Sequence, residues 1–268
     1  MTDWTSLLLI NAAALFAAIL LLWAYSLRVR DVSFIDAFWA FGMVLLAWSS
    51  WLMTIDPTDR ADLLVALVTL WGLRLTIHLF SRWRTQGEDP RYKKIMANVM
   101  EKKGWSWSKT SLLSVFLTQA PLLFITCLPA QLGIWASDAG SFTFGLMAGV
   151  GTAVALIGIG FETIGDWQLN RFRADPANKG KVLDTGLWRY TRHPNYFGDA
   201  CTWWGIWLIA AETGLAGWIS VIGPLFLTFT LTRWSGKPML EHGLRKSRPD
   251  YVDYVRRTSG FFPLPPKA

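Results

Sequence analysis

A chain of 268 residues that is 52% hydrophobic and only 17% charged, with 17 Trp, has a membrane composition, and its mean hydropathy of +0.30 agrees. The net charge of +7 and a pI near 9.6 do not indicate nucleic acid. The positive residues sit in loops beside apolar runs, which is how membrane proteins orient themselves.

The first apolar run, Leu7 to Trp23, lacks a basic start and a small-residue cleavage site, so it reads as a first span and not as a cleaved signal. Seven helices are expected, at about 6–27, 33–54, 62–81, 111–135, 141–165, 200–212 and 214–234, each near the roughly 20 residues a bilayer needs. The sixth is short and turns into the seventh through Glu212-Thr213-Gly214. Gly145 and Gly149 form a GxxxG in the fifth, a close-packing signal. The expected fold is an all-α integral membrane protein in a single domain, 1–268. Residues 1–110 would carry the substrate-side polar groups, and 111–268 the cofactor site. Arg60 is the lone loop cation on the N-terminal side. The other Lys and Arg, Arg74 apart, lie at 28–30, 82–109, 171–192 and 233–267, which predicts an outside N-terminus and a cytosolic C-terminus.

Polar residues inside the spans carry the functional signal. Asp36 lies about one turn into the second span. It either polarises a substrate carbonyl as a neutral acid or pairs with Arg28, Arg30 or Arg74. In the third span Trp71, Arg74, His78 and Arg82 share one helical face that must look into the bundle, as a route to the mouth or as an inter-helix network. The following loop gathers Glu88, Asp89, Arg91 and Tyr92 around Pro90, and Met96 to Lys109 reads as an interfacial helix anchored by Trp105 and Trp107. The fifth span ends with Glu162, Asp166, Asn170 and Arg173 at helical spacing, suited to ribose, amide and phosphate groups or to ordinary ion pairs.

The densest stretch is GLWRYTRHPNYFGD, Gly186 to Asp199, which packs Arg189, Tyr190, Arg192, His193, Asn195, Tyr196 and Asp199 into one connection between apolar spans. Tyr, Asn and Asp interleaved with Arg fit an anionic cofactor better than a plain basic loop. Lys181 precedes it. Arg233, Lys237, Glu241 and His242 follow the last span, and a tail with Tyr251, Tyr254 and Phe261 is expected on the membrane surface, closing over the loops. Cys127 and Cys201 form no CxxC, and His78, His193 and His242 lie far apart, so neither disulfide nor zinc is expected. GxGxxG after a strand, P-loop, HExxH and GxSxG are missing, so a dinucleotide would have to be held by side chains between helices.

RHPNYFGD at 192–199, preceded by Asp166-x6-Arg173 and followed by a Trp-rich hairpin, resembles the steroid 5α-reductase superfamily, most closely its bacterial members, over nearly the whole chain. The HPNY-x-GD core is shared with sterol Δ14- and Δ7-reductases; a looser form occurs in isoprenylcysteine carboxyl methyltransferases. The resemblance implies a multi-pass protein of a bacterial inner membrane, with NADPH in a cytosol-facing cleft and a steroid or similar isoprenoid enone in the bundle. No protein partner is implied beyond membrane lipids. It implies catalytic roles for Asp36 with His78 or Tyr92, because the span-three Tyr that partners the acid aligns with Leu79 here. It implies cofactor roles for Asp166, Arg173, Asn195 and Asp199, for Arg82 and Arg91 on the phosphate side, and for Lys181; Asn170, Tyr190, Arg192, His193 and Arg233 are expected to join them from the residue pattern alone. Glu162 stands where animal enzymes have Asn, and Asn170 where they have Arg. The alternative expectation is an S-adenosylmethionine-dependent membrane methyltransferase, which needs fewer cations because its cofactor carries no phosphate.

Overall fold

The computed structural model describes residues 3–137, 145–234 and 236–267; the first four residues of the expected fifth span, 141–144, lie outside them. The described chain is helical, and its one extended contact is a lone bridge between Thr191 and Ser259. Helices α1 (Trp4–Val29), α2 (Ile35–Met53), α3 (Asp59–Gln86) and α4 (Pro90–Lys103) come first. Then follow α5 (Trp107–Ser111), α6 (Leu117–Thr126), α7 (Leu128–Trp135), α8 (Leu146–Ala174) and α9 (Pro194–Ala211). The chain ends with α10 (Leu215–Ile219), α11 (Ile222–Phe229), α12 (Lys237–Ser247) and α13 (Tyr251–Arg257). Six stretches are long and apolar enough to cross a membrane, so this is an all-α, multi-pass membrane protein. The expected sixth span corresponds to α9, which is not one of those six; it begins earlier than expected, at Pro194, and is largely buried by its neighbours.

Proline punctuates two expected spans. The fourth is α5, a π-helical turn at Leu112–Phe116, α6 and α7, with Pro121 inside α6. It breaks at Cys127, because Pro129 has no N–H to continue the ladder. The seventh breaks at Ser220 and ends in a π turn at Thr230–Trp234. Helices α3 and α8 have 28 and 29 residues. At 1.5 Å per residue each is over about 40 Å long, so their charged ends project past a hydrocarbon layer of about 30 Å.

Two helix pairs frame the bundle, α2 on α3 and α8 on α9, with α7 lodged among α2, α3 and α9. The α8–α9 seam is backbone on backbone. A Cβ added at Gly158 would lie 2.5 Å from the Gly198 carbonyl, and one at Gly198 would lie 2.5 Å from that of Gly158. Gly151 and Gly205 repeat the arrangement two turns away. These four glycines make the close approach expected of the GxxxG pair; Gly145 instead faces the Glu212 carboxylate. Trp71 of α3 and Trp203 of α9, both fully buried, meet edge to face at 5.2 Å and tie the two pairs together. At the end away from the long charged loops, Glu212 accepts from Arg60 and from the Ala148 N–H, each at 3.0 Å. This caps α8 and fastens α3, α8 and α9.

Candidate functional site

Nearly all remaining polar chemistry collects at the other end, in three connected groups. The first is built on α4. Asp89 caps that helix by accepting from the Arg91 N–H at 2.9 Å, with Pro90 in the first position, and Gly104 ends it at φ 62. The cap aims Arg91 and Tyr92 at α2. Tyr92 donates to Asp36 Oδ1 at 2.6 Å, and Arg91 Nη2 reaches Asp36 Oδ2 at 3.0 Å and Asp89 Oδ2 at 2.8 Å. Arg82 stands at 3.6 Å from Asp36 and 3.8 Å from Asp89. Asp36 is therefore paired, but with Arg91 and Arg82; Arg28, Arg30 and Arg74 do not reach it. Burial and the Asp36 charge push the Tyr92 hydroxyl well above the usual tyrosine range. Burial opposes the charge on Asp89, and the Arg91 hydrogen bonds overcome it, holding that carboxyl below its usual range.

The second group lies deeper, between α3, α8 and α9. Arg74 meets Glu162 Oε1 at 3.1 Å and Asp166 Oδ2 at 2.7 Å. Trp71 Nε1 donates to Glu162 at 2.9 Å and Asn195 to Asp166 at 3.2 Å. His78 stands 3.7 Å from Asp166 and 3.5 Å from Asn170. His78 thus belongs to this network, and Tyr92 is the donor that faces Asp36. Asp199, on the same side of α9, is buried, and its Oδ1 has no hydrogen-bond partner among the described residues; the same is true of Trp203 Nε1.

The third group pins the loop and the tail. Expected as one connection, Gly186–Asp199 is a 3-10 turn at Gly186–Arg189 followed by the first turns of α9. Leu187 N–H donates to Gln168 and Trp188 Nε1 to the Gly165 carbonyl, both at 3.0 Å, fixing the loop on α8. Arg192 donates to Glu241 at 2.9 Å and to the Val255 and Thr258 carbonyls, and His193 meets Glu241 at 3.1 Å. Through Nε and Nη1, Arg192 holds the tail in place. Burial holds the His193 imidazole below its usual value, against the Glu241 hydrogen bond. The ring stacks on Tyr196 at 5.2 Å, and Tyr196 is within electrostatic reach of Asp36 and Asp199, which links all three groups.

Arg173, Lys181, Tyr190 and Arg233 are exposed. Arg173 has no ion-pair partner among the described residues and lies near Arg82 and Arg248. Arg248 is held by the Lys181 carbonyl at 2.7 Å. Tyr190 contributes its carbonyl to Leu264, and its side chain stays outside. Arg233 ends the π turn after α11, away from any ion pair among the described residues. Asp166, Asn170 and Arg173 share α8, with Asp166 and Arg173 about 10 Å apart along the axis at 1.5 Å per residue. An elongated anion with a polar head fits that ladder: Arg173 and Arg82 for phosphate, Asn195 and Asp199 for amide or ribose.

Arg74, Glu162 and Glu241 complete these groups and fell outside the residues predicted as site. Arg74 and Glu162 carried a signal, a charge four residues from His78 and one four residues from Asp166. Glu241 carried none, since its partners lie 48 and 49 residues away. On the flank of the bundle a groove of about 700 Å³ between α2 and α3 is lined by Trp48, Trp51, Val65, Leu70 and Ile77, with Arg74 among its walls.

The fold and these buried charges define a multi-pass membrane protein with an ionisable interior. The chain belongs to the DUF1295 family, described as a protein of unknown function, whose family model matches residues 22–258. It is 21% identical to an uncharacterized protein of Schizosaccharomyces pombe over 90% of this chain and 75% of that one. It is 34% identical to a Delta(14)-sterol reductase of Gibberella zeae over 85 residues, 26% of this chain and 17% of that protein. No solved structure matches.

Proposed function

We propose that this protein reduces the C=C bond of an enone in a steroid or similar isoprenoid lipid, using NADPH, with its charged end toward the cytosol. The observation that carries the reading is the pairing of an unneutralised cation, Arg173 beside Arg82 and Arg248, with an orphaned buried oxygen, Asp199 Oδ1, deeper in the same bundle. An unpaired buried acceptor is costly unless a ligand supplies a donor. The limited likeness to a sterol reductase points the same way.

NADPH, when bound, would supply hydride to the β-carbon of the acceptor. Arg173, with Arg82, would hold its phosphates, and Asn195 with Asp166 the groups nearer the ring. Asp36 and Tyr92 would present a hydrogen bond to the carbonyl oxygen of the acceptor, where negative charge develops. Arg91 and Asp89 would position that pair. The α2–α3 groove, apolar and open on the flank, suits a flat oily molecule arriving from the bilayer.

Thermal unfolding of the purified protein tests the reading. A ligand at a hundredfold excess over its Kd adds about 2.7 kcal/mol of stability. NADPH is expected to raise Tm and S-adenosylmethionine to leave it unchanged; the reverse pattern would make the protein a methyltransferase.

A further inference from the structure

Two carboxylates, Glu162 and Asp166, meet the Arg74 guanidinium inside this bundle, and a third, Asp199, is buried beside them. Glu162, Asp166 and Asp199 are 3%, 7% and 8% exposed. The charged and titratable groups facing them are Arg74 and His78 on α3 and Tyr196 on α9, with Asp36 on α2 reaching Tyr196. Arg74 lies against Glu162 and Asp166, and Asp166 also accepts from Asn195, so Asp166 is well served as an anion. Glu162 shares Arg74 and accepts one hydrogen bond from Trp71. Among the described residues Asp199 touches no cation, and its Oδ1 has no donor. Gly198 brings it close, since a Cβ there would meet the Glu162 backbone N at 2.5 Å.

Fully ionised, the cluster would bury three negative charges against one fixed positive charge. Uncompensated charge in a low-dielectric interior is removed by protonation, and neighbouring carboxylates do not both ionise. Such a pair titrates as a unit.

We propose that Glu162 and Asp199 together store an exchangeable proton inside the bundle and give it up when a cationic ring occupies the neighbouring site. The inference rests on the reductase reading, in which the oxidised nicotinamide is that cation. In turnover the acceptor gains an electron pair and hydrogen at its β-carbon from the reduced nicotinamide. The Glu162–Asp199 pair gives its proton to the α-carbon. The carboxylate charge left behind then offsets the positive ring, so the buried region keeps its net charge through the step. Solvent restores the proton after the nucleotide leaves. The pair acts here as proton donor and as charge compensation beside the cofactor, and Asp36 and Tyr92 keep the carbonyl.

The test uses the purified full chain in nanodiscs. Infrared spectroscopy of the nucleotide-free protein at neutral pH is expected to show a buried protonated carboxylic acid, lost or shifted in both Glu162→Gln and Asp199→Asn. Adding NADP+ in weak buffer with a pH indicator is expected to release roughly one proton per bound nucleotide. NADPH is expected to release none, and both variants should bind NADP+ without release. If one variant fails to fold, the other decides. No protonated-acid band, equal release with both nucleotides, or undiminished release in the folded variants would overturn the proton store. If neither nucleotide binds, the reductase reading falls, and the infrared band alone decides whether the proton is there.

Discussion

Tyr92 on α4 donates its hydroxyl to Asp36 on α2 at 2.6 Å, across 56 residues of sequence. Helix α4 is not among the membrane-crossing stretches, yet it completes a half-buried acid–hydroxyl pair at the end of one. Leu79 lies on α3 and lines the small polar pocket of about 60 Å³ beside Asp36. The donor that meets Asp36 comes from α4 and not from α3.

Removing that hydroxyl separates chemistry from binding. Tyr92→Phe is expected to lower the hydride-transfer rate on an enone lipid by about 100-fold or more, the lower range for a positioned proton donor. NADPH affinity should change little. Single-turnover kinetics with nucleotide titration check this. An unchanged rate would leave the pair a purely structural contact.

Arg173 is a cation with no ion-pair partner among the described residues, close to Arg82 and Arg248. Arg173→Ala is expected to weaken NADPH about tenfold, about 1.4 kcal/mol, and NADH distinctly less. Isothermal titration with both nucleotides reads the difference. Equal losses would move Arg173 from the 2′-phosphate to the pyrophosphate.

Glu241 neutralises Arg192 inside the tail contact, where both side chains are 7% exposed. Glu241→Ala leaves a guanidinium buried and unpaired, a change that costs about 3–5 kcal/mol. A clear fall in Tm is expected, together with faster proteolysis after residue 236, because the same contact holds α12 and α13 over the loop. A Tm within a degree or so of wild type, roughly the effect of a neutral surface change, would show that the tail is held elsewhere.

His193 sets an acid limit. Its folded pKa is depressed, so the unfolded chain binds the extra proton first as pH falls. Its contribution is complete above the ordinary value near 6.5 and is lost as pH drops from there toward the folded value. Glu241, Arg192 and Lys237 are the charges that face it. His193→Gln is expected to flatten the Tm-against-pH curve in that window and leave it unaltered at pH 8. A curve as steep as wild type would assign the acid sensitivity to the carboxylates.

Helix positions were legible because apolar runs near bilayer length are their own signal; Asp36, His78 and Asp166 announced themselves as charge in or at the end of apolar spans, and Asn195 by its place in the dense polar connection. The breaks were legible in principle at Pro121 and Pro129 but were smoothed over by hydropathy. The true close-packing glycines recur every seven residues on α8 and again on α9, a spacing visible only when two helices are compared. Which cation neutralises Asp36 was beyond reach: five arginines stood close enough in sequence or depth, and the cap at Asp89 chose Arg91. The tail contacts of Arg192, to Glu241 and two carbonyls, were not legible, since they form only when the distant C-terminal helices fold back.

The glycine seam between α8 and α9 has a mechanical corollary. Two rods locked carbonyl to carbonyl along two helical turns, and clamped at one tip by Glu212, neither slide nor splay without tearing main-chain contacts. A bulky guest has no doorway there. Entry and exit fall to the flank of α2 and α3, where the groove is lined by side chains whose rotamers can yield while the backbone stays still.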